Sequence, residues 1–423
     1  MFNRTLLFKS INLVLPLLIL VSIPKASYTI SPEKLWEIQA VDTMKVSRDT
    51  ARENMSNEAI RAEIRAIKEV GATHVGIATP YDEEFYPLLQ RWVDITREEG
   101  LLVWFRGNFS GWEGWFGYPK DLTREQHLSK TKNFILSHPN LFQDGDSFSP
   151  CPECENGGDG DPRFTRDFAG FNQFLVDQRE ISQEAFKTID KDVHTNWFSM
   201  NGDIAREVLT PETVAKTGGI VTVDHYVGSL ERMERDLINL HEQHNAKIIL
   251  GEFGAPIPDL QGDLTENEQA AYVDELFQIF YRHRDKILGM NYWTGRFAST
   301  SIFNPDLSPR LAAEVVKSYF SPGIIEGTIT DDLDTPLQGI SISTSDGEIS
   351  TTTNKYGNFT ITIPPKTDHL LVSHNQYHSV EQPISIAPGQ KQTIDITLTP
   401  LEQSLFYKIR LFFRLLTTQK SAS

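Results

Sequence analysis

The stretch Lys247-Ile248-Ile249-Leu250-Gly251-Glu252-Phe253-Gly254-Ala255-Pro256 decides how this chain is read. Its aliphatic run is short and unbroken, the pattern of a buried strand. Glu252 stands at the end of that run, and Phe253-Gly254-Ala255-Pro256 then forces a turn. A carboxylate set against an aliphatic strand is costly to bury unless it is paired or hydrogen-bonded. Glu252 is therefore either the cap of the next loop or a functional group, and its surroundings must decide between the two.

Working outward, the same texture recurs seven more times. Strand-like runs are read at 37–41, 73–78, 101–106, 146–149, 193–198, 220–225 and 287–292, with 247–251 as the seventh of eight in order. Amphipathic helical patterns are read at 57–70, 87–99, 166–187, 230–244, 266–283 and 309–319. Eight strands with intervening helices predict an α/β fold, a TIM (β/α)8 barrel closed on itself. A doubly wound sheet is the alternative, but no glycine-rich phosphate loop follows the first strand.

Beyond Ser321-Pro322-Gly323 the texture changes. Residues 324–399 are rich in Thr, Ile and Ser, with short alternating runs, turn dipeptides and no helical period, which predicts a small all-β sandwich domain. In the segment 401–423, Phe406, Ile409, Phe412, Phe413 and Leu416 recur at helical spacing among Lys408, Arg410 and Arg414. This is either a basic amphipathic tail for a membrane surface or a terminal helix packed on the sandwich. The expected division is 1–28 as signal, 29–322 as barrel, 323–400 as sandwich and 401–423 as tail.

The N-terminus supports export. Arg4 and Lys9 precede an apolar run from residue 11 to 23, shorter than the roughly 20 apolar residues of a membrane span and suited to a signal peptide. Lys25-Ala26-Ser27 is a poor cleavage site, so an uncleaved signal anchor is the other reading. Either way the expected location is extracellular or at the cell surface. The net charge of −17 argues against nucleic acid as a partner, since phosphate binding needs a concentrated basic face. The two cysteines, Cys151 and Cys154, are spaced C-x-x-C. In an exported chain this suits a local disulfide or inert thiols better than a redox pair, and a zinc site would need two further ligands.

Glycosidic hydrolysis needs two carboxyl groups flanking one bond, about 5–5.5 Å apart in the retaining mechanism. In a barrel they belong at the C-terminal strand ends. Glu252 fits one role. The fourth strand offers two partners, Glu153 and Glu155, in Cys151-Pro152-Glu153-Cys154-Glu155-Asn156-Gly157. They lie two apart, so alternation does not separate them, and Glu153 is preferred because it sits nearer the strand end. Sugar faces stack on aromatic rings. Trp112 and Trp115 in the loop after strand three, Trp197 after strand five and Trp293 after strand eight are candidate platforms, with Asn108 and Asn196 as amide contacts. Trp104 lies inside a strand and reads as packing. The Gly157-to-Pro162 loop holds Asp159 and Asp161 but lacks the EF-hand ligand series, so a solvated turn is expected there.

On these residues the barrel resembles the cellulase-like glycoside hydrolases, the clan (clan A) that includes family 5. The resemblance implies Glu252 as nucleophile at the end of strand seven and Glu153 as acid/base at the end of strand four, with Glu155 as the alternative. It implies Arg106 beneath the nucleophile, Tyr226 donating to it with His225 nearby, and Trp293 flooring a sugar subsite. Pro152 departs from the clan's Asn before the acid/base. Residues 324–399, with Ile325-Glu326-Gly327-Thr328, Pro336-Leu337-Gln338-Gly339 and Tyr356-Gly357-Asn358-Phe359, resemble the carboxypeptidase regulatory-like, transthyretin-type domain. The expectation is a retaining glycosidase hydrolysing O-glycosyl compounds, on a β-linked oligo- or polysaccharide. The alternative is a cell-surface carbohydrate-binding or scaffolding barrel without catalysis. No cofactor and no metal are expected, because the strand ends carry no clustered His/Asp ligand set.

Overall fold

The computed structural model describes residues 34–157, 161–195, 198–401, 408–409 and 411–412. The expected signal segment, Asn196, Trp197, Asp159 and most of the C-terminal tail lie outside the described residues.

Eight parallel strands form one curled sheet: β1 (Ile38–Asp42), β2 (His74–Ile77), β3 (Leu102–Phe105), β4 (Ser147–Phe148), β5 (Met200–Asn201), β6 (Ile220–Asp224), β7 (Lys247–Phe253) and β8 (Ile287–Tyr292). Their order is β4-β3-β2-β1-β8-β7-β6-β5. The remaining gap is closed by a parallel bridge between Ser147 and His194, with Phe148 N–H donating to His194 O (2.8 Å) and His194 N–H to Asp146 O (2.9 Å). The chain is therefore a TIM barrel. The fifth strand departs from expectation. Among the described residues of 193–198, His194 bridges to β4, and the regular ladder with β6 begins later, at Met200.

Helices cover the outside, and their starts follow their caps. Ser56, Thr123, Ser229 and Thr265 each accept a backbone N–H from the first turn of the helix they precede, and Thr123 and Thr265 form full capping boxes. The helix Arg124–Ser137 escapes a periodicity reading because its inward face mixes His127 and Thr131 with Phe134 and Ile135. Gly202–Val208 and Pro211–Lys216 are likewise too short to show a period. Among the described residues no helix is long and apolar enough to cross a membrane.

Inside the barrel, Ile38, Ala40, Trp104, Ile220, Ile249 and Leu288 form a cluster of their own. Side chains alternate along a strand. Two residues past Ala40 comes Asp42, two past Trp104 comes Arg106, and four past Ile220 comes Asp224. The strands that fill the barrel with apolar groups therefore deliver charged groups to its C-terminal mouth, where barrel active sites form.

The last barrel helix, Leu311–Phe320, is followed after two residues by β9 (Gly323–Asp331). With β10 (Ser341–Thr344), β11 (Ser350–Thr352), β12 (Asn358–Ile363), β13 (His369–His374), β14 (Tyr377–Pro383), β15 (Lys391–Thr393) and β16 (Ile396–Leu398), it forms two sheets, β11-β10-β13-β14 and β12-β9-β15, with β16 also on β9. Ile325, Ile329, Ile342, Phe359, Ile361, Leu370 and Val372 fill the space between them. The sandwich docks on the barrel helix Glu266–Arg282 and the residues after it. Tyr281 donates to Asp346 (3.2 Å), Arg284 pairs with Glu348 (3.0 Å), and Asp274 pairs with Lys366 (2.5 Å).

Candidate active site

Glu252 does not reach the barrel mouth by simple alternation. Ile249 points inward, so Gly251 should be the next inward residue. A register shift intervenes: Val223 pairs with Leu250, but Asp224 pairs with Glu252, and the ladder to β8 shifts over the same stretch. Such bulges re-aim a side chain. Gly251 is what permits this one. A Cβ there would lie 2.4 Å from Ser199 Oγ and 2.5 Å from Asp224 Oδ1, so only glycine fits.

Once aimed inward, Glu252 is held from two sides. Arg106 Nη2 donates to Oε1 (2.7 Å), and Tyr226 donates to Oε2 (3.1 Å). Arg106 is fully enclosed. Its Nε donates to Asp42 Oδ2 (2.9 Å), and its Nη2 lies 3.9 Å from Asp224 Oδ1. Asn291 donates to the same Asp42 oxygen and to Gly251 O, both at 2.9 Å. The Ser199 hydroxyl donates to Asp224 Oδ1. Asp42, Arg106, Ser199, Asp224, Glu252 and Asn291 thus form one network across six segments of the barrel.

Glu153 closes the site from the β4 side. One oxygen from each of Glu153, Asp224 and Glu252 lies within 4.8 Å of the other two. Glu155 is elsewhere. It is completely buried, and its Oε1 accepts the Asn201 backbone N–H (2.8 Å). Of the two glutamates, Glu153 and not Glu155 stands beside Glu252.

The electrostatics follow from too many acids around one base. Burial opposes the charge of Arg106, but Asp224, Glu252 and Asp42 outweigh it and hold the guanidinium protonated. Burial, then Asp224, pushes Glu252 up, and Arg106 pulls it back. Burial also raises Asp224, to about 7, against Arg106 and with help from Glu153. The cluster therefore holds a proton at neutral pH. Geometry assigns it to Asp224. Glu252 has the short guanidinium contact and the Tyr226 donor, while Asp224 Oδ2 is buried without a partner, which a neutral carboxyl tolerates far better than a carboxylate. Burial and Glu252 together keep Tyr226 protonated, so its hydroxyl stays a donor. Near Glu153, Glu113 is raised to about 7 by burial and by Glu153 itself, and it accepts from Asn108 Nδ2 (2.9 Å).

This has a measurable consequence. The folded state binds the Asp224 proton more tightly than the unfolded chain does, so its stabilising contribution is complete below about 3.8 and is lost as pH rises through about 7. Asn has no such dependence. In thermal melts from pH 4 to 8, the Tm of Asp224→Asn is expected to gain on the wild type by roughly 5 °C across that window. Parallel curves would remove the proton from Asp224.

The other candidate contacts divide. Tyr226 and Trp293 are partly exposed at the mouth, their rings 6.2 Å apart and edge to face, with Lys45 5.8 Å from the Trp293 ring. Trp115 is partly exposed under Arg48 (4.8 Å). Three expected substrate contacts are corrected. Trp112 is fully buried, stacked on Phe174 (5.4 Å) and donating to Cys154 O (3.2 Å). Asn108 is fully buried, and its Oδ1 accepts from Phe109 N (2.8 Å) and contacts His127 Nε2 (2.7 Å). His225 is buried against Asp236 (3.1 Å), its ring occupying the space that a Cβ on Gly202 would need. These three shape the walls and do not face a ligand. Asn196 and Trp197 lie outside the described residues. The cysteines form the expected Cys151–Cys154 disulfide. Asp224 and Ser199 were missed. The signal for Asp224 was its place on the face of Ile220, two residues before Tyr226.

Residues 324–399 match the family model of the carboxypeptidase regulatory-like domain. The C-terminal sandwich is such a domain. The barrel finds its likenesses among solved structures. A GH5_18 protein from Streptomyces cattleya, in complex with GlcNAc, aligns with a TM-score of 0.50 at 14% identity, over 70% of this chain and 84% of that one. A variant of it in complex with Manβ1-4GlcNAc aligns with a TM-score of 0.51 at the same identity and coverage. A β-glucuronidase from Bacteroides uniformis gives a TM-score of 0.48 at 14% identity, over 86% of this chain and 46% of that one, so the chain spans less than half of that protein's length. At this identity the shared property is the fold alone: the N-terminal unit carries a (β/α)8 fold. No curated protein matches the chain.

Proposed function

We propose that the protein is a retaining glycoside hydrolase in which Glu252 attacks the anomeric carbon and Glu153 protonates the departing oxygen. The observation that carries this reading is the approach of Glu153 and Glu252 oxygens to within 4.8 Å at the mouth of the barrel. That spacing suits the retaining pair, about 5–5.5 Å apart, and leaves no room for the water that an inverting pair of roughly 6.5–9.5 Å accommodates.

Each residue then has a task. Arg106 and Tyr226 orient Glu252 and hold it ionised. Asp224 carries the excess proton, which relieves the repulsion on Glu252. In its protonated form Glu153 gives the proton to the leaving oxygen, and its carboxylate then takes one from the water that releases the sugar. Trp293 and Trp115, the first beside Lys45 and the second beside Arg48, present rings to sugar faces. The disulfide fits an oxidising compartment, in keeping with a place of work outside the cell or at its surface.

A β-linked glycan is the proposed substrate. The disaccharide bound by the Streptomyces cattleya protein, Manβ1-4GlcNAc, belongs in the first test panel, with β-glucosides, β-galactosides and β-glucuronides. Purified full-length protein is expected to hydrolyse at least one aryl β-glycoside and to release the β-anomer first, as seen by proton NMR. An α-anomer first product would overturn the retaining assignment. A barrel that binds glycans from this panel without cleaving them would favour the carbohydrate-binding alternative.

A further inference from the structure

Glu252 is part of a seven-residue strand, but Glu153 is not part of any strand. β4 ends at Phe148, and Glu153 follows five residues later. An acid/base must nonetheless be held to within a fraction of an ångström of its working position. Something other than the sheet has to hold it.

Glu153 lies inside the Cys151–Cys154 cross-link, with only Pro152 for company. Pro152 has a fixed φ. Glu153 adopts a left-handed backbone, φ 49° and ψ 39°, which non-glycine residues avoid. Its N–H donates to Ser199 O (2.6 Å), and its carbonyl accepts from Asn156 N (2.8 Å). Asn156 Nδ2 donates to its Oε1 (3.1 Å). The cross-link is itself seated. Both cysteines are buried, Asn108 Nδ2 lies 3.6 Å from Cys151 Sγ, and Trp112 donates to Cys154 O (3.2 Å). Gly157 lets the loop lie flat on Trp112, since a Cβ there would meet Trp112 O at 2.5 Å.

We infer that the Cys151–Cys154 disulfide is the positioning element of the acid/base, a covalent substitute for the strand that β4 does not provide, and that full activity requires its oxidation. The inference rests on the hydrolase reading given above. Breaking the bond needs a thiol reductant. Dithiothreitol passes two electrons and two protons to the pair, yielding two thiols, and leaves as its own cyclic disulfide.

The test is a leaving-group comparison on Cys151→Ser/Cys154→Ser in the full chain. A dinitrophenol leaves without a proton, whereas an unsubstituted phenol needs one. If the cross-link positions Glu153, kcat/KM for the phenyl glycoside falls by about 10²-fold, while that for the dinitrophenyl glycoside changes by less than about threefold. A general loss of structure would lower both alike. Should the double variant not fold, wild type is reduced with dithiothreitol in the highest urea that preserves its near-ultraviolet spectrum. It is then alkylated and put through the same pair of assays. Equal loss on both substrates, or no loss on either, overturns the inference. A wild type inactive on both substrates, and on the whole glycoside panel, instead defeats the hydrolase reading on which it rests.

Discussion

Glu252→Gln is expected to lower kcat/KM on any accepted glycoside by on the order of 10⁴- to 10⁶-fold, the range for removing a nucleophile from an intact site. The amide keeps the shape and its one oxygen can still accept from Arg106, but its NH2 cannot accept from Tyr226 and it cannot form the glycosyl ester. Folding should survive. Asp42, Asp224 and Glu252 surround one guanidinium, with Glu153 beside them, so removing one acid relieves crowding of like charge. The variant is expected to melt at or above the wild-type temperature at pH 7. A variant that folds and keeps more than a tenth of wild-type activity would strip Glu252 of the role.

Glu153→Ala is the second large effect, and its signature is selective. Loss of general acid catalysis costs about 10²- to 10⁴-fold where the leaving group needs the proton. With a dinitrophenyl glycoside the first step persists, and the stalled second step should be rescued by azide, giving a β-glycosyl azide. Glu155→Gln should behave differently. Glu155 is buried with burial raising its pKa well above the usual range, and its Oε1 holds the Asn201 N–H, so its loss should show in stability without azide rescue. Azide rescue in the Glu155 variant and not in the Glu153 variant would exchange the two roles.

The reading from sequence succeeded where one strand's pattern carried the information. The apolar runs of β6, β7 and β8 are buried along nearly their whole length, so their composition alone marks them, and Glu252 follows directly. It failed where meaning depends on what another segment supplies. Trp112 and Asn108 sit in a loop whose aromatic and amide content suggests a sugar platform. Only the fold reveals that Cys154, Phe174 and His127 cover them. β4 and β5 were hard to delimit because each is two residues long and, among the described residues, their closure rests on the bridge at His194. Asp224 was hidden because it looked like the ordinary polar end of a strand. Its importance arises from Arg106, Ser199 and Glu252, which are 118, 25 and 28 positions away in sequence and adjacent in space.

The central claim is that Glu252 becomes covalently attached to the sugar. Once the panel has identified an accepted glycoside, its 2-deoxy-2-fluoro dinitrophenyl analogue should inactivate the enzyme and add the mass of one fluorosugar. Peptide mapping should place that mass on Glu252 within Ile248-to-Phe253. A label on Glu153 or Asp224, or turnover with no covalent species at all, would contradict the account.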